Sequence, residues 1–199
     1  MIGIVDYGAG NLHSVQKAFA FLGKDSSILQ HPSEINGLDR LVLPGVGSFG
    51  HAMTEIRNQG WHAPLLDWLA AERPFLGICL GMQLLFESSD ESPGQEGFSI
   101  MAGDCRKFTI NKVPQIGWND ICITRRNALF EGIENGDFFY FVHSYRVSPD
   151  DRDVIWAETT YGGAYPSIVG RGRVIGVQFH PEKSGDTGLR LLKNWVERC

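Results

Sequence analysis

The sequence predicts an α/β fold with three layers, α/β/α, as one domain over residues 1–199. A central, mostly parallel sheet is extended by antiparallel hairpins in the second half. Three observations carry this. Short apolar runs alternate with helix-period segments four times before residue 87, a rhythm that demands parallel strands joined by crossover helices. Three glycine-bearing loops, 6–11, 44–50 and 77–81, each follow an apolar run, where ligands of such sheets bind. From residue 98 to 180 the texture changes to short strand-like runs separated by turn residues.

Taken in order, Ile2–Val5 is an apolar strand and Asp6–Asn11 a tight loop. A helix follows with Leu12, Val15, Ala18, Phe19 and Leu22 at helical spacing, stopped by Gly23. Ser26–Leu29 is a strand, Pro32–Ile35 a short helical turn, and Arg40–Leu43 a strand ending in Pro44-Gly-Val-Gly47. A helix over 50–59 stops at Gly60, and Pro64 suits the first position of a helix over Leu65–Ala71. Phe75–Ile78 is the next strand. Ser88–Gly97 is polar and acidic and reads as a surface loop. The later strand runs are Cys105–Ile110, Ile121–Thr124, Phe138–Val142, Val154–Glu158, Ile168–Gly170 and Val174–Phe179. The chain closes on an amphipathic helix, Asp186–Cys199, with Leu189, Leu192 and Val196 on one face.

Composition excludes several classes. A formal charge of -5 without a basic cluster argues against nucleic-acid binding. No apolar run reaches the roughly 18 residues of a membrane helix, and the N-terminus lacks the pattern of a signal peptide. Four cysteines, 79, 105, 122 and 199, show neither C-x-x-C spacing nor a metal-ligand grouping. The expectation is a cytoplasmic protein with no metal. The first strand is not followed by G-x-G-x-x-G, so no dinucleotide cofactor is implied.

Residues 75–86 carry the chemistry. Gly77-x-Cys79-x-Gly81, between an apolar strand and a helical start, has the grammar of a nucleophile elbow with Cys for Ser. The turn is sharp, so positions two before and two after the nucleophile need to lack side chains. It lifts the thiol to a helix N-terminus, where free N–H groups and the dipole favour thiolate and oxyanion. The pentapeptide alone also describes a buried cysteine at a strand–helix junction. A hundred residues on, a β-rich run ends in His180-Pro181-Glu182. Pro181 presses His180 into an extended conformation, which lets Glu182 stand behind the imidazole. A carboxylate on one ring nitrogen selects the tautomer whose other nitrogen takes a proton from a thiol. Cys79, His180 and Glu182 thus read as nucleophile, base and orienter.

With both segments placed, the chain resembles the class I (triad) glutamine amidotransferases end to end. Among these it looks most like the glutaminase subunits of imidazole glycerol phosphate synthase. The resemblance rests on Ile4-Val-Asp-Tyr-Gly-Ala-Gly-Asn-Leu12, Leu43-Pro-Gly-Val-Gly-Ser-Phe-Gly50, Gly77-Ile-Cys-Leu-Gly-Met-Gln83, Gly117-Trp-Asn119, Tyr140-Phe-Val-His-Ser-Tyr145 and Gly176-Val-Gln-Phe-His-Pro-Glu-Lys-Ser184. Ile116 and Ala102 depart from residues common in the family, and 146–173 matches loosely.

The resemblance implies that Cys79 attacks the carboxamide of L-glutamine, that His180 shuttles the proton and that Glu182 orients it. It implies oxyanion donors at Val46 and Leu80. It puts Gly45, Gly47, Gln83, His143 and Ser144 in the substrate pocket. No cofactor is implied. Ammonia released into water is protonated and lost, and the chain has no second domain to use it. The implied partner is therefore the cyclase subunit of imidazole glycerol phosphate synthase, a (β/α)8 barrel. Ala9–Asn11, Trp118, Asn119 and Lys183 are expected near that partner. Two alternatives share the fold: a glutaminase feeding another ammonia-using synthase, and a non-catalytic subunit. The latter would be expected to lose Cys79, His180 or Glu182, and all three stand in the sequence.

Overall fold

Fully buried strands without polar alternation form the centre of the molecule. The computed structural model describes residues 1–110 and 112–199. The first half runs β1 (Ile2–Val5), α1 (Leu12–Phe21), β2 (Ser26–Leu29), β3 (Arg40–Gly45), α2 (Phe49–Asn58), α3 (His62–Ala70), β4 (Phe75–Cys79) and α4 (Leu80–Gln83). The second half runs β5 (Ser88–Ser89), β6 (Gly103–Lys107), β7 (Gln115–Asp120), β8 (Cys122–Ile123), β9 (Phe138–His143), β10 (Tyr145–Pro149), β11 (Ile155–Thr160), β12 (Ala164–Arg171), β13 (Val174–Val177) and α5 (Gly185–Arg198).

The main sheet has the order β2-β1-β3-β4-β13-β12-β11-β8. The strands β2, β1, β3, β4 and β13 are mutually parallel, and β12, β11 and β8 continue antiparallel. Side chains alternate between the two faces, as the pleat requires. Leu41, Leu43 and Phe75 join the core under α2 and α3, whereas Val42, Leu76 and Ile78 join the core under α1 and α5. This is the expected three-layer α/β/α arrangement. A three-stranded sheet, β10-β6-β5, and a two-stranded ribbon, β7-β9, flank the catalytic end.

Several boundaries differ from the sequence reading. The third helix starts at His62, so Pro64 is its third residue rather than its first. The proline is still accommodated, because N–H groups of the first turn have no partner to lose. The buried face of α5 is Gly188, Leu191, Leu192, Asn194 and Trp195, with Leu189 and Val196 at its margins. Trp195 sets that face by its size. The segment Ser88–Gly97 is not only surface loop. Ser89 is buried in a short strand, and Glu91 and Ser92 accept the Phe49 and Gly50 amides at the start of α2. Strands β7 and β10 were not anticipated as strands, and the expected Cys105–Ile110 strand lies two residues earlier, at Gly103–Lys107.

Candidate active site

The elbow is built by backbone crowding. Cys79 has φ 56° and ψ -106°, a positive φ that a side-chain-bearing residue adopts only under constraint. A Cβ on Gly77 would sit 2.5 Å from the Gly81 carbonyl oxygen, and one on Gly81 would sit 1.9 Å from that of Leu43. Bare glycines therefore let α4 fold directly over the ends of β3 and β4. The helix itself is four residues long, which corrects one expectation. Few aligned peptides mean a small dipole, so what this turn offers an anion is its individual N–H groups.

His180 leaves β13 beside this turn. Its backbone N–H donates to Tyr140 O at 2.9 Å. The Ser184 hydroxyl donates to His180 O at 2.6 Å and accepts the Tyr140 amide at 3.0 Å. Pro181 begins a single helical turn that brings Glu182 back under the ring. Glu182 Oε1 then lies 2.9 Å from His180 Nδ1, with side-chain exposures of 1% and 3%. Nδ1 donates to this carboxylate, which leaves Nε2 as the ring nitrogen free to exchange a proton. Nε2 is buried and has no hydrogen-bond partner among the described residues. Burial works to lower the His180 pKa. The neighbouring Cys79 and Glu182 outweigh it and raise the value to about 9. The site thus favours the imidazolium form of His180.

Cys79 is 7% exposed and opens onto a cavity of about 280 Å³. Val46, Gly47, Leu80, Gln83, His143 and Ser144 line it together with Glu91, Val142 and Tyr145. Gly45 does not. It pairs with Cys79 across β3 and β4, and a Cβ there would strike the Tyr7 hydroxyl at 2.5 Å and Leu80 Cβ at 2.9 Å. Its bareness seats the elbow instead of shaping the pocket. Gly47 takes φ 99° at the rim. Tyr145 O accepts from His143 Nδ1 at 2.8 Å and from Gln83 Nε2 at 3.2 Å. Burial, with a smaller push from His180, lowers the His143 pKa to about 4, although its bond to Tyr145 O opposes this. His143 is therefore neutral.

The expected interface residues lie around the same edge. Trp118 is 56% exposed and meets Tyr140 edge-on at 6.1 Å. Lys183 is exposed on the turn that carries Glu182, and α1, which Asn11 precedes, rests on that turn. Asn119 is tied to Thr160 O at 3.0 Å. Among the described residues no group of His, Cys, Asp and Glu could hold a metal ion.

The model of the glutamine amidotransferase class-I family matches residues 3–199. The chain belongs to the class-I glutamine amidotransferases. Similar curated proteins include an imidazole glycerol phosphate synthase subunit HisH of Methanocaldococcus jannaschii, 47% identical, and subunit HisH 1 of Methanococcus maripaludis, 45% identical, each alignment covering 99% of both chains. Among solved structures, one described as a glutamine amidotransferase superposes with TM-score 0.77 at 18% identity over 98% of both chains. PurLQS from Thermotoga maritima gives TM-score 0.77 at 16% identity over 98% of this chain and 96% of that one. These two speak to the fold alone.

Within this amidotransferase site, sequence reasoning assigned no role to Glu91, Gln178 or Tyr7. Glu91 lies in the polar, acidic segment 88–97, which reads as a surface loop. Gln178 had a visible signal, a polar residue inside the apolar run Val174–Phe179, and it is fully buried. Tyr7 is likewise buried, its hydroxyl without a partner among the described residues, and burial, with the nearby Cys79, pushes its pKa well up.

Proposed function

We propose that residues 1–199 form one glutaminase domain, the ammonia-producing subunit of an imidazole glycerol phosphate synthase. The observation that carries the reading is the buried His180–Glu182 pair beside the strained elbow thiol of Cys79. His180 Nε2 takes the Cys79 proton, and the sulfur attacks the side-chain carbonyl carbon of glutamine. The N–H groups of Leu80 and Val46 hold the resulting oxyanion. As the C–N bond breaks, His180 returns the proton to the departing ammonia. Water then attacks the γ-glutamyl thioester, its proton passing to His180, and glutamate leaves with the thiolate restored. Glu91, which lines the cavity, supplies a carboxylate for the α-ammonium group, and Gln83, His143 and Ser144 supply polar walls.

Ammonia must reach its acceptor before water captures it. Ribbon β7–β9 turns Ile116, Trp118 and Phe138 outward at 62%, 56% and 54% exposure beside the catalytic edge. An apolar strip of this kind on a soluble face fits a protein partner. The HisH relatives are named as synthase subunits, which supports a cyclase subunit as that partner. In this reading the cyclase is a (β/α)8 barrel that uses the ammonia to form imidazole glycerol phosphate and aminoimidazole carboxamide ribonucleotide. No helix is long and apolar enough to cross a membrane among the described residues.

The test is glutamate release from glutamine by the chain alone, with the cyclase subunit, and with the cyclase subunit plus its nucleotide ligand. Activity that rises with partner and ligand supports the reading. Full activity alone, or none in any mixture, contradicts it.

A further inference from the structure

Cys79 has a polar neighbour besides His180. The side chain of Gln178, 0% exposed, places Nε2 3.7 Å from the Cys79 sulfur. We propose that Gln178 is a positioning residue whose amide N–H donates to the Cys79 sulfur and sets the reactivity of the thiol. This rests on Cys79 being the nucleophile of the glutaminase reading.

The direction of that contact is fixed from outside. Tyr145 O is a backbone carbonyl and can only accept. It takes a hydrogen bond from Gln83 Nε2 at 3.2 Å, which orients the Gln83 amide. The second hydrogen on Gln83 Nε2 goes to Gln178 Oε1 at 3.1 Å. With its oxygen engaged, Gln178 has only its NH₂ to offer the sulfur. Reversing the Gln178 amide would set NH₂ against NH₂ at one end and oxygen against sulfur at the other. The backbone N–H of Gln178 is itself anchored to Ser167 O at 2.9 Å. A polarised chain therefore runs from Tyr145 O through Gln83 and Gln178 to Sγ.

The sulfur's other contact favours the thiol. Cys79 Sγ lies 3.8 Å from Val142 O, an acceptor suited to S–H and repulsive to a thiolate. Once the proton moves to His180, the Gln178 N–H is a second donor to the sulfur beside the imidazolium N–H, and it strengthens as the sulfur gains charge. Gln178 carries no charge of its own, so it favours the thiolate without competing with the imidazolium for Glu182. Gln83 lines the substrate cavity, so the same chain joins the pocket wall to the nucleophile.

The experiment follows Cys79 alkylation by iodoacetamide against pH, in a Cys122→Ser/Cys199→Ser background that leaves buried Cys105 as the other thiol. The same background carrying Cys79→Ala serves as blank. Gln178→Met, an unbranched side chain of similar volume without the donor, is expected to move the alkylation midpoint up by about one pH unit, roughly a tenfold loss of thiolate at fixed pH. Gln178→Glu, isosteric but a buried acceptor, is expected to move it further, and it serves as the second variant should the Met protein not fold. A midpoint unchanged in either folded variant overturns the proposal. Alkylation needs neither glutamine nor partner, so a parent that releases no glutamate even with the cyclase subunit and its nucleotide ligand refutes the glutaminase reading separately.

Discussion

Gly81→Ala tests the elbow through a single methyl group. The added Cβ would stand 1.9 Å from Leu43 O and 3.0 Å from Leu43 C. A relaxed carbon–oxygen contact needs about 3.3 Å, so one side must retreat by about 1.4 Å. Both sides are backbone. Leu43 is held in β3 opposite Gly77, and position 81 is held in α4. Overpacking of this kind costs about 3 kcal/mol. For a chain of this size that is a fall in Tm of about 6–12 °C. Moving the nucleophile by about 1 Å also costs roughly 100-fold in rate. The comparison is Gly23→Ala, where φ is 67° and nothing lies within 4 Å. That change bears only the left-handed strain of about 1–2 kcal/mol, far from the site. Thermal melts and glutamate release with the cyclase subunit read both variants. If Gly81→Ala melts with Gly23→Ala and turns over glutamine at the parent rate, the steric account of the elbow is wrong.

Four further outcomes are expected. Glu182→Gln keeps a hydrogen bond to His180 but removes its charge, so glutamine turnover falls about 10- to 100-fold and does not vanish; steady-state kinetics beside Cys79→Ala decide this. Ser184→Ala leaves the Tyr140 amide without its acceptor, which costs about 1–3 kcal/mol in a denaturant melt and lowers turnover by loosening His180. The folded His180 pKa of about 9 lies above the ordinary 6.5, because Cys79 and Glu182 outweigh burial. The stability it contributes is therefore complete below pH 6.5 and lost as pH rises through 9, a dependence that pH-resolved melts should find missing in His180→Asn. Trp118→Ala should leave the isolated chain's melt unchanged within about 0.5 kcal/mol. The same change should weaken cyclase binding by calorimetry about 30-fold, as for a hot-spot residue.

The parallel half of the fold was legible because local signals agreed with one another. Apolar runs, helix periodicity and glycine stops marked the elements through β4 to within a few residues. Strand β7 was not legible because its alternation is inverted. Gln115 points inward, where it meets the Tyr165 hydroxyl at 2.9 Å, while Ile116 and Trp118 point to solvent. A pattern that puts the polar residue inside reads as noise until a partner surface is considered. Strand β10 is short and ends at Pro149, and its pairing with β6 is long-range. At the site, His180 and Glu182 meet as the motif predicts, but through the helical turn Pro181–Lys183 and not through the extended alternation expected of residues two apart. Glu91 and Gln178 were not legible, because what places them is packing between distant segments. The resemblance implies Gly45 in the pocket, yet its strand pairing sets it against Tyr7 and Leu80.

The most direct measurement is to quench the chain during turnover with glutamine, in the presence of the cyclase subunit, and to weigh the intact protein and its peptides. A mass gain of one γ-glutamyl group on the peptide bearing Cys79, absent in Cys79→Ala, is the expected result. Steady turnover with every cysteine unmodified throughout, or with Cys79→Ala still releasing glutamate, would contradict Cys79 as the nucleophile.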